Sequence, residues 1–197
     1  GQGSTNDVTI KNDADADVIS IPTGTTGVTF AGAITGTTAT FTTSDNNAQV
    51  TLISTDTDAS AGPILDLYRN SSSPADNDLG GAIKFNAEND AGEKINYQLI
   101  QAYMPDVSDG TEDGAFQHYI LKDGTSIQRL EHSPTETVFN QDSADVDFRV
   151  ESNGNANMLF VDGGNDAVGI GTSSPSDPLV VSDSGASSVT ARLINTN

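Results

Sequence analysis

The stretch between residues 138 and 181 constrains the fold most strongly, because short apolar alternations recur there between turn-forming clusters. The first alternation places apolar residues at every second position, which is the pattern of a half-buried strand. Polar, Gly-bearing clusters lie at residues 153–155 and 162–165, and tight turns need residues that tolerate positive φ. We therefore predict a β-meander whose apolar positions are Val146, Phe148, Val150, Met158, Phe160, Val168 and Ile170.

Residues 56–140 carry longer strand signals, with turn signals every eight to twelve residues. This spacing is typical of an antiparallel sandwich or meander. Ile64–Arg69 and Lys94–Met104 are predicted strands, and the second is the longest of the chain. Asp123-Gly124 predicts a two-residue hairpin between two further strands. No helix longer than a turn is expected before the last residues, so the predicted fold class is all-β.

Residues 1–55 are rich in Thr, Gly, Ala and Asp, and their apolar residues come in short, closely spaced groups. This spacing is too tight for globular strands joined by ordinary loops, but Thr favours strands and Gly permits tight turns. One strand is predicted at Gln49–Ser54. We interpret the segment as a thin β-shaft stabilised by several chains together, with a flexible Thr/Gly-rich linker as the alternative.

The chain has few apolar side chains with which to build a thick core of its own. Hydrophobic residues make up 35% and aromatic residues 6% of the 197 residues. Typical domains reach about 45–50% apolar residues, in a count that includes Gly. Several predicted strands are nevertheless apolar on both faces, and a single thin chain cannot cover them. The composition therefore predicts that other copies of the same chain complete these apolar faces.

The charge balance excludes several classes of partner. With 28 acidic and 8 basic residues the formal net charge is −20, so nucleic acids and anionic lipids are repelled. We expect no nucleic-acid partner and no membrane insertion, since no apolar run approaches the ~20 residues of a membrane span. The absence of Cys excludes disulfides and thiolate metal sites. Because the sequence does not begin with Met, we expect a processed chain or a segment of a longer one.

Acidic loops raise the question of calcium binding, which needs about six to eight oxygen ligands and usually a Gly-enabled turn. Several acidic clusters occur, and the one that comes nearest to such a loop contains Gly110. We interpret all of them as solvated loops and predict no resident metal. The weak candidate ligands are Asp106, Asp109, Glu112 and Asp113.

No group of residues predicts catalysis or a cofactor. Gly169-Ile170-Gly171 resembles part of a dinucleotide fingerprint, but Thr-Ser-Ser-Pro follows where the helix should begin. We expect these glycines to let neighbouring backbones approach closely. His118 and His132 lie on different strand segments, and no Ser-His-Asp order stands out. Close carboxylates could serve a glycosidase, but the chain has no Trp to hold a sugar. We predict that the protein is not an enzyme.

Three distinctive runs follow one another near the end of the chain, namely Asp145–Ser152, Asn157–Asn165 and Val168–Leu179, and the last contains Val-Gly-Ile-Gly-Thr. Through these runs, the region of residues 64–181 resembles tail-fibre and virion-appendage proteins of marine bacteriophages. Residues 67–78 and 109–114 are similar to a module often found upstream of this element. In that family the element commonly precedes further fibre repeats or an intramolecular chaperone domain, so we expect residues 183–197 to begin a further repeat.

The resemblance implies a homotrimeric, β-rich rod on the surface of a virion, with other virion proteins and a host receptor or glycan as partners. Residues 141–182 form the trimeric element in this interpretation, and the seven apolar positions of its meander line the trimer axis. Two alternatives come from other functional classes. One is a capsid-decorating or glycan-binding module, which makes contact through the loops Asn70–Asp78 and Pro105–Gly114. The other is a polysaccharide depolymerase.

Overall fold

The computed structural model describes residues 6–12, 14, 17–22 and 27–182. These residues form twelve β-strands in three sheets and no helix, so the all-β prediction is confirmed. Accordingly, no helix in the described part is long and apolar enough to cross a membrane. By its internal contacts the chain divides into two units, Gly1–Ile64 and Leu65–Asn197, which are described separately. The expected repeat at residues 183–197 lies outside the described residues.

The first unit contains a three-stranded antiparallel sheet in the order β1-β2-β3. Its strands are β1 (Asn6–Lys11), β2 (Asp17–Pro22) and β3 (Thr29–Phe30). Residues 31–64 contain no strand, so the strand predicted at Gln49–Ser54 is wrong. A strand needs a neighbour for its backbone groups, and no pairing partner lies beside this segment.

In residues 54–60 of the first unit, hydrogen bonds between side chains and the nearby backbone form turns instead of a strand. The backbone amide of Asp56 donates to Ser54 Oγ at 3.3 Å, and that of Asp58 donates to Asp56 Oδ1 at 3.2 Å. The amide of Ser60 continues the series by donating to Asp58 Oδ1 at 2.7 Å. Short polar side chains commonly satisfy the backbone two residues further on. Residues 54–60 therefore form a succession of such turns.

The second unit begins its regular structure with a five-stranded antiparallel sheet in chain order. This arrangement is a meander, and residues 56–140 contain no second sheet with which to form a sandwich. The longest strand lies where it was predicted. The strands are β4 (Asp78–Glu88), β5 (Lys94–Asp106), β6 (Asp113–Lys122), β7 (Thr125–His132) and β8 (Thr137–Phe139).

The hairpin predicted at Asp123-Gly124 is confirmed, whereas the strand predicted at Ile64–Arg69 has no pairing partner and does not form. Asp123 and Gly124 have φ of 50° and 79°, as a two-residue hairpin with two left-handed residues requires. The strand predicted at Ile64–Arg69 is absent. That segment instead approaches β4, where a Cβ on Gly81 would lie 2.4 Å from the Cβ of Leu67. The Arg69 guanidinium is ion-paired with Asp78 at 2.8 Å.

A four-stranded sheet in the order β12-β11-β10-β9 completes the second unit. The three that come first in the chain, β9, β10 and β11, form the predicted meander and pair antiparallel. The last strand was not predicted, and it pairs in parallel with its neighbour. The strands are β9 (Phe148–Val150), β10 (Leu159–Asp162), β11 (Ala167–Ile170) and β12 (Leu179–Val181).

The glycines of the Val-Gly-Ile-Gly-Thr run allow close backbone approach, as the sequence predicts. A Cβ on Gly169 would lie 2.3 Å from the carbonyl oxygen of Thr172, and one on Gly171 would lie 1.9 Å from that of Ser182. Gly171 also has a φ of 80°, which disfavours any other residue. The run is followed by a turn and a strand, so it lacks the helix that a dinucleotide site requires.

Candidate functional site

The register of the five-stranded sheet sorts its side chains onto two faces, because antiparallel partners share a face and successive residues alternate. Three central cross-strand rows lie side by side on one face, and His118 and His132, the only two histidines of the chain, both lie in them. We call this surface the histidine face. Its rows are Ile83–Ile100–His118–Leu130–Phe139, Ala102–Phe116–His132–Thr137 and Phe85–Gln98–Ile120–Ile127.

The histidine face is predominantly apolar, and much of it is open to solvent. Among its members only Ile127 is buried, with 8% of its surface exposed. Phe85 and Phe139 are 50% and 53% exposed, and Ile83 is 42% exposed. None of the thirteen positions carries a charged residue. Large exposed apolar areas on soluble proteins usually mark contact surfaces.

The two histidines have defined partners on this face. The side-chain amide nitrogen of Gln98 lies 2.9 Å from Nε2 of His118. His132 places Nδ1 2.9 Å from the hydroxyl of Thr137, and its ring centre lies 5.9 Å from that of Phe116. Neither histidine has a carboxylate or serine partner among its described contacts.

The opposite side of the sheet, which we call the glutamine face, carries a connected polar network. The amide of Gln101 donates to Gln117 Oε1 at 2.9 Å, and the amide of Gln117 donates to Glu131 at 3.0 Å. Gln128 also donates to Glu131, at 2.6 Å. Gln117 and Gln128 are only 7% and 6% exposed. Buried polar groups are stable when they are paired in this way.

Tyr119 closes this network. Its hydroxyl donates a shared hydrogen bond to the side-chain oxygens of Gln117 and Gln128, at 3.2 and 3.1 Å. Burial, followed by the negative charges of Asp142 and Glu131, raises the pKa of Tyr119 above its ordinary value. Asp142 follows β8, and its Oδ2 accepts a hydrogen bond from the backbone amide of Gln128 at 2.7 Å. The glutamine face is therefore satisfied within one chain.

The apolar surface continues from the histidine face to the four-stranded sheet. The rings of Phe139 and Phe148 lie 4.8 Å apart and join the two sheets. Pairing places Phe148 on one face with seven further apolar residues. We call this second surface the valine face, and its members are Phe148, Val150, Leu159, Val161, Val168, Ile170, Leu179 and Val181.

The seven predicted trimer-core residues do not share one surface. Phe148, Val150, Val168 and Ile170 lie on the valine face, as a common core requires. Phe160 lies on the opposite face and is only 7% exposed in the single chain, so it is already covered. The other two lie outside the strands, since Val146 precedes β9 and Met158 precedes β10.

Four members of the valine face were missed in the sequence, namely Leu159, Val161, Leu179 and Val181. The histidine face was missed as well. The available signal was two stretches without charge, residues 95–105 and 114–121, in a strongly charged chain. Three members of the network on the glutamine face, Gln101, Gln117 and Tyr119, lie in the same two stretches, whereas Gln128 and Glu131 lie in β7.

The weak metal candidates are not gathered into a site. Asp106 and Asp113 are register partners across β5 and β6, whereas Asp109 and Glu112 lie in the intervening loop. Hydrogen bonds from the side chain and backbone of Ser108 lower the pKa of Asp106 and tie its carboxylate to the turn. Within the described ranges, no three metal-ligating side chains are arranged to hold a metal.

One concavity of about 780 Å³ lies beside β11 and is lined by residues 154–158, 170–173 and 182. Its lining contains no titratable side chain and therefore no acid, base or charged ligand.

What the second unit presents most clearly is the pair of exposed apolar faces. The histidine face and the valine face therefore give this all-β chain apolar surface that a binding partner can cover. The chain matches no protein-family model, no curated protein and no solved structure.

Proposed function

We propose that this chain is a non-enzymatic structural component of a phage virion appendage, such as a tail fibre. Three copies form a β-rich rod that contributes to host attachment. The observation that carries the proposal is the exposure of two sheet faces built from apolar side chains. The assignment to a virion rests on the sequence resemblance of residues 64–181 to phage fibre proteins.

The energetics favour association over a solitary chain. Five members of the valine face are exposed, from 37% at Val181 to 61% at Leu179, and the other three are half-buried. Full burial of such a side chain contributes about 1.5–3 kcal/mol, and partial burial contributes a proportionate share. Association costs about 4–15 kcal/mol in lost freedom. Several such residues from each of three chains are enough to exceed that cost.

A threefold arrangement also suits the edges of the sheets. The outer strands of the larger sheet are β4 and β8, and those of the smaller sheet are β9 and β12. Exposed strand edges invite uncontrolled pairing with other chains. Closed rotational symmetry gives each chain two neighbours and limits growth of the assembly. A homotrimer therefore uses the apolar faces without open-ended aggregation.

Light scattering after size exclusion tests the proposal. We expect the wild-type chain to elute as a trimer and Phe148→Asp to shift it to monomer, because a carboxylate cannot be buried unpaired among apolar side chains. Ala156→Asp is the matched control, since it adds the same charge at an exposed loop position and should leave the trimer intact. A wild-type chain that stays monomeric at high concentration would refute the assembly. Antibody labelling of phage particles tests the location, and appendages without label would refute it.

A further inference from the structure

One dipeptide of the chain combines an asparagine with the neighbour that leaves it most open to attack. Asn153 is the only asparagine in the sequence that glycine follows directly. Asparagine is among the thermolabile residues of proteins, because the backbone nitrogen of the next residue can attack its side-chain carbonyl carbon. A side chain on that next residue hinders the approach, and glycine has none. The sequence therefore singles out Asn153-Gly154.

The structure leaves both reacting groups open. Asn153 and Gly154 lie in the loop of residues 151–158 between β9 and β10, and both are exposed. A Cβ on Gly154 would meet no atom within 4 Å. Within the described part of the chain, neither the side chain of Asn153 nor the backbone amide of Gly154 is hydrogen-bonded to another residue. The side chain can therefore rotate, and the amide nitrogen of Gly154 can reach it.

Other asparagines are held by contacts that Asn153 lacks. The side-chain nitrogen of Asn165 donates to Asp162 Oδ2 at 3.0 Å, and that of Asn140 donates to the carbonyl oxygen of Ala144 at 2.8 Å. These hydrogen bonds fix the amide group that would have to leave. Asn153 thus differs from both asparagines in its contacts as well as in its neighbour.

A second glycine in the same sheet shows what a protected position looks like. Gly163 follows Asp162, whose side chain could form the same kind of ring. The amide of Gly163 donates to Asp147 Oδ1 at 3.1 Å, and a Cβ at this position would lie 2.6 Å from the carbonyl oxygen of Val146. A following glycine is therefore not sufficient, and the open loop around Asn153 is the second requirement.

We propose that Asn153 is a site of spontaneous deamidation through a ring formed with Gly154. The backbone nitrogen of Gly154 bonds to Cγ of Asn153, the bond from Cγ to Nδ2 breaks, and Nδ2 leaves as ammonia with the proton of the Gly154 amide. Water then opens the imide ring at either carbonyl carbon and gives isoaspartate or aspartate. No oxidant, enzyme or cofactor takes part. The inference goes beyond the proposed function, because it does not depend on self-association.

The modification changes the loop that joins β9 to β10. Either product adds one negative charge, and isoaspartate also lengthens the main chain by one carbon. The loop is closed by the amide of Ser152, which donates to the carbonyl oxygen of Asn155 at 2.8 Å, and by the return bond from the amide of Asn155 to Ser152 Oγ at 3.2 Å. The extra carbon falls between these two partners. We expect isoaspartate to loosen the loop and the adjoining three-residue strand β9.

Peptide mapping of the full chain during prolonged incubation at pH 7.5 provides the first test. Trypsin cuts after Arg149 and Arg192 and releases one peptide that carries Asn153 together with Asn155, Asn157 and Asn165 as internal controls. Electron-transfer fragmentation should locate the loss of the amide at Asn153 and identify isoaspartate there, which direct hydrolysis of the side chain cannot produce. Equal loss at all four asparagines, or aspartate without isoaspartate, overturns the proposal.

Two glycine substitutions provide the second test. Gly154→Ala should suppress the loss at Asn153, because the new methyl group shields the attacking nitrogen. It enters open space, so the fold should be retained. Gly114→Ala is the matched control, since a Cβ there also meets no atom within 4 Å, and it should leave the reaction at Asn153 unchanged. A Gly154→Ala chain that deamidates as fast as wild type overturns the proposal.

Hydrogen exchange measures the consequence for the fold. The isoaspartate form, separated from fresh protein by anion exchange, should exchange the amide hydrogens of β9 faster than the fresh chain does. Those of β5 and β6 in the larger sheet should be unaffected and serve as the control. Unchanged exchange in β9 would leave the site standing but overturn its effect on the loop.

Discussion

The two faces of the five-stranded sheet invert the usual arrangement of a soluble protein. On the glutamine face, Gln117 and Gln128 are only 7% and 6% exposed, and their hydrogen bonds are completed inside one chain. On the histidine face, Phe85 and Phe139 keep about half of their surface in water. A monomer normally does the reverse and covers its apolar side first.

The contrast separates what stabilises the chain from what remains for association. Directional hydrogen bonds need partners at fixed positions, and the local register of β5, β6 and β7 supplies them. Apolar burial is non-directional and can be completed by any surface of matching shape. The polar face thus contributes specificity within the chain, and in the proposed assembly the apolar faces contribute free energy when copies meet.

The largest expected effect compares the same substitution on the two faces. Gln117→Leu removes the acceptor of Gln101 and of Tyr119 and a donor to Glu131. It should lower the free energy of unfolding by about 2 kcal/mol, the cost of buried polar groups left unpaired. Gln98→Leu on the histidine face breaks one side-chain contact, with His118.

Urea denaturation at matched chain concentration measures both variants. We expect Gln98→Leu to leave stability within about 0.5 kcal/mol of wild type, because it adds apolar surface to an apolar face. Equal losses from the two substitutions would contradict the distinction between a face that serves the single chain and a face that serves the assembly.

Predictions from the sequence succeed where the cause of a structure is local. The Asp123-Gly124 hairpin follows from the positive φ that these two residues accept. The glycines at 169 and 171 are understood correctly as points of backbone crowding. The strand predicted at Gln49–Ser54 is absent, because alternation of apolar and polar residues does not by itself supply a neighbouring strand to pair with.

The histidine face depends on the register in which β4 to β8 pair, and the sequence alone does not determine that register. The row from Ile83 to Phe139 joins five separate segments, and a shift of one residue in any pair would send its members to the other face. The same limit explains the divided trimer core. The sequence predicts that Met158 and Phe160 line one axis together, whereas Met158 precedes β10 and the pairing of β10 sends Phe160 and Val161 to opposite faces.

A smaller effect is expected from salt. Raising NaCl from 50 to 500 mM shortens the screening length from about 14 Å to about 4 Å. Because copies of charge −20 repel and the thirteen positions of the histidine face carry no charged residue, association should tighten several-fold. Sedimentation across a salt series measures the effect. Weakening with salt would indicate a contact built on ion pairs and would contradict the apolar interface.

The smallest effect concerns the glutamine face at alkaline pH. The pKa of Tyr119 is raised above 10.0 in the folded chain, first by burial and then by Asp142 and Glu131. The unfolded chain therefore loses its phenolic proton first. The stabilisation from the neutral hydroxyl is complete below about pH 10 and is lost as pH rises through the folded pKa.

Urea denaturation at pH 9 and pH 11 should show this loss in wild type, and Tyr119→Phe should show less of it, because the variant has no hydroxyl to ionise. Tyr97→Phe is the matched control, since Tyr97 is 41% exposed and should leave the loss unchanged. The comparison uses the difference between the two pH values, so the hydrogen bonds that Tyr119→Phe removes at every pH cancel. An identical decline in all three proteins would show that the glutamine face does not hold Tyr119 in its neutral form. The hydrogen-bonded network around Tyr119 would then hinder ionisation of a tyrosine no more than an exposed surface does.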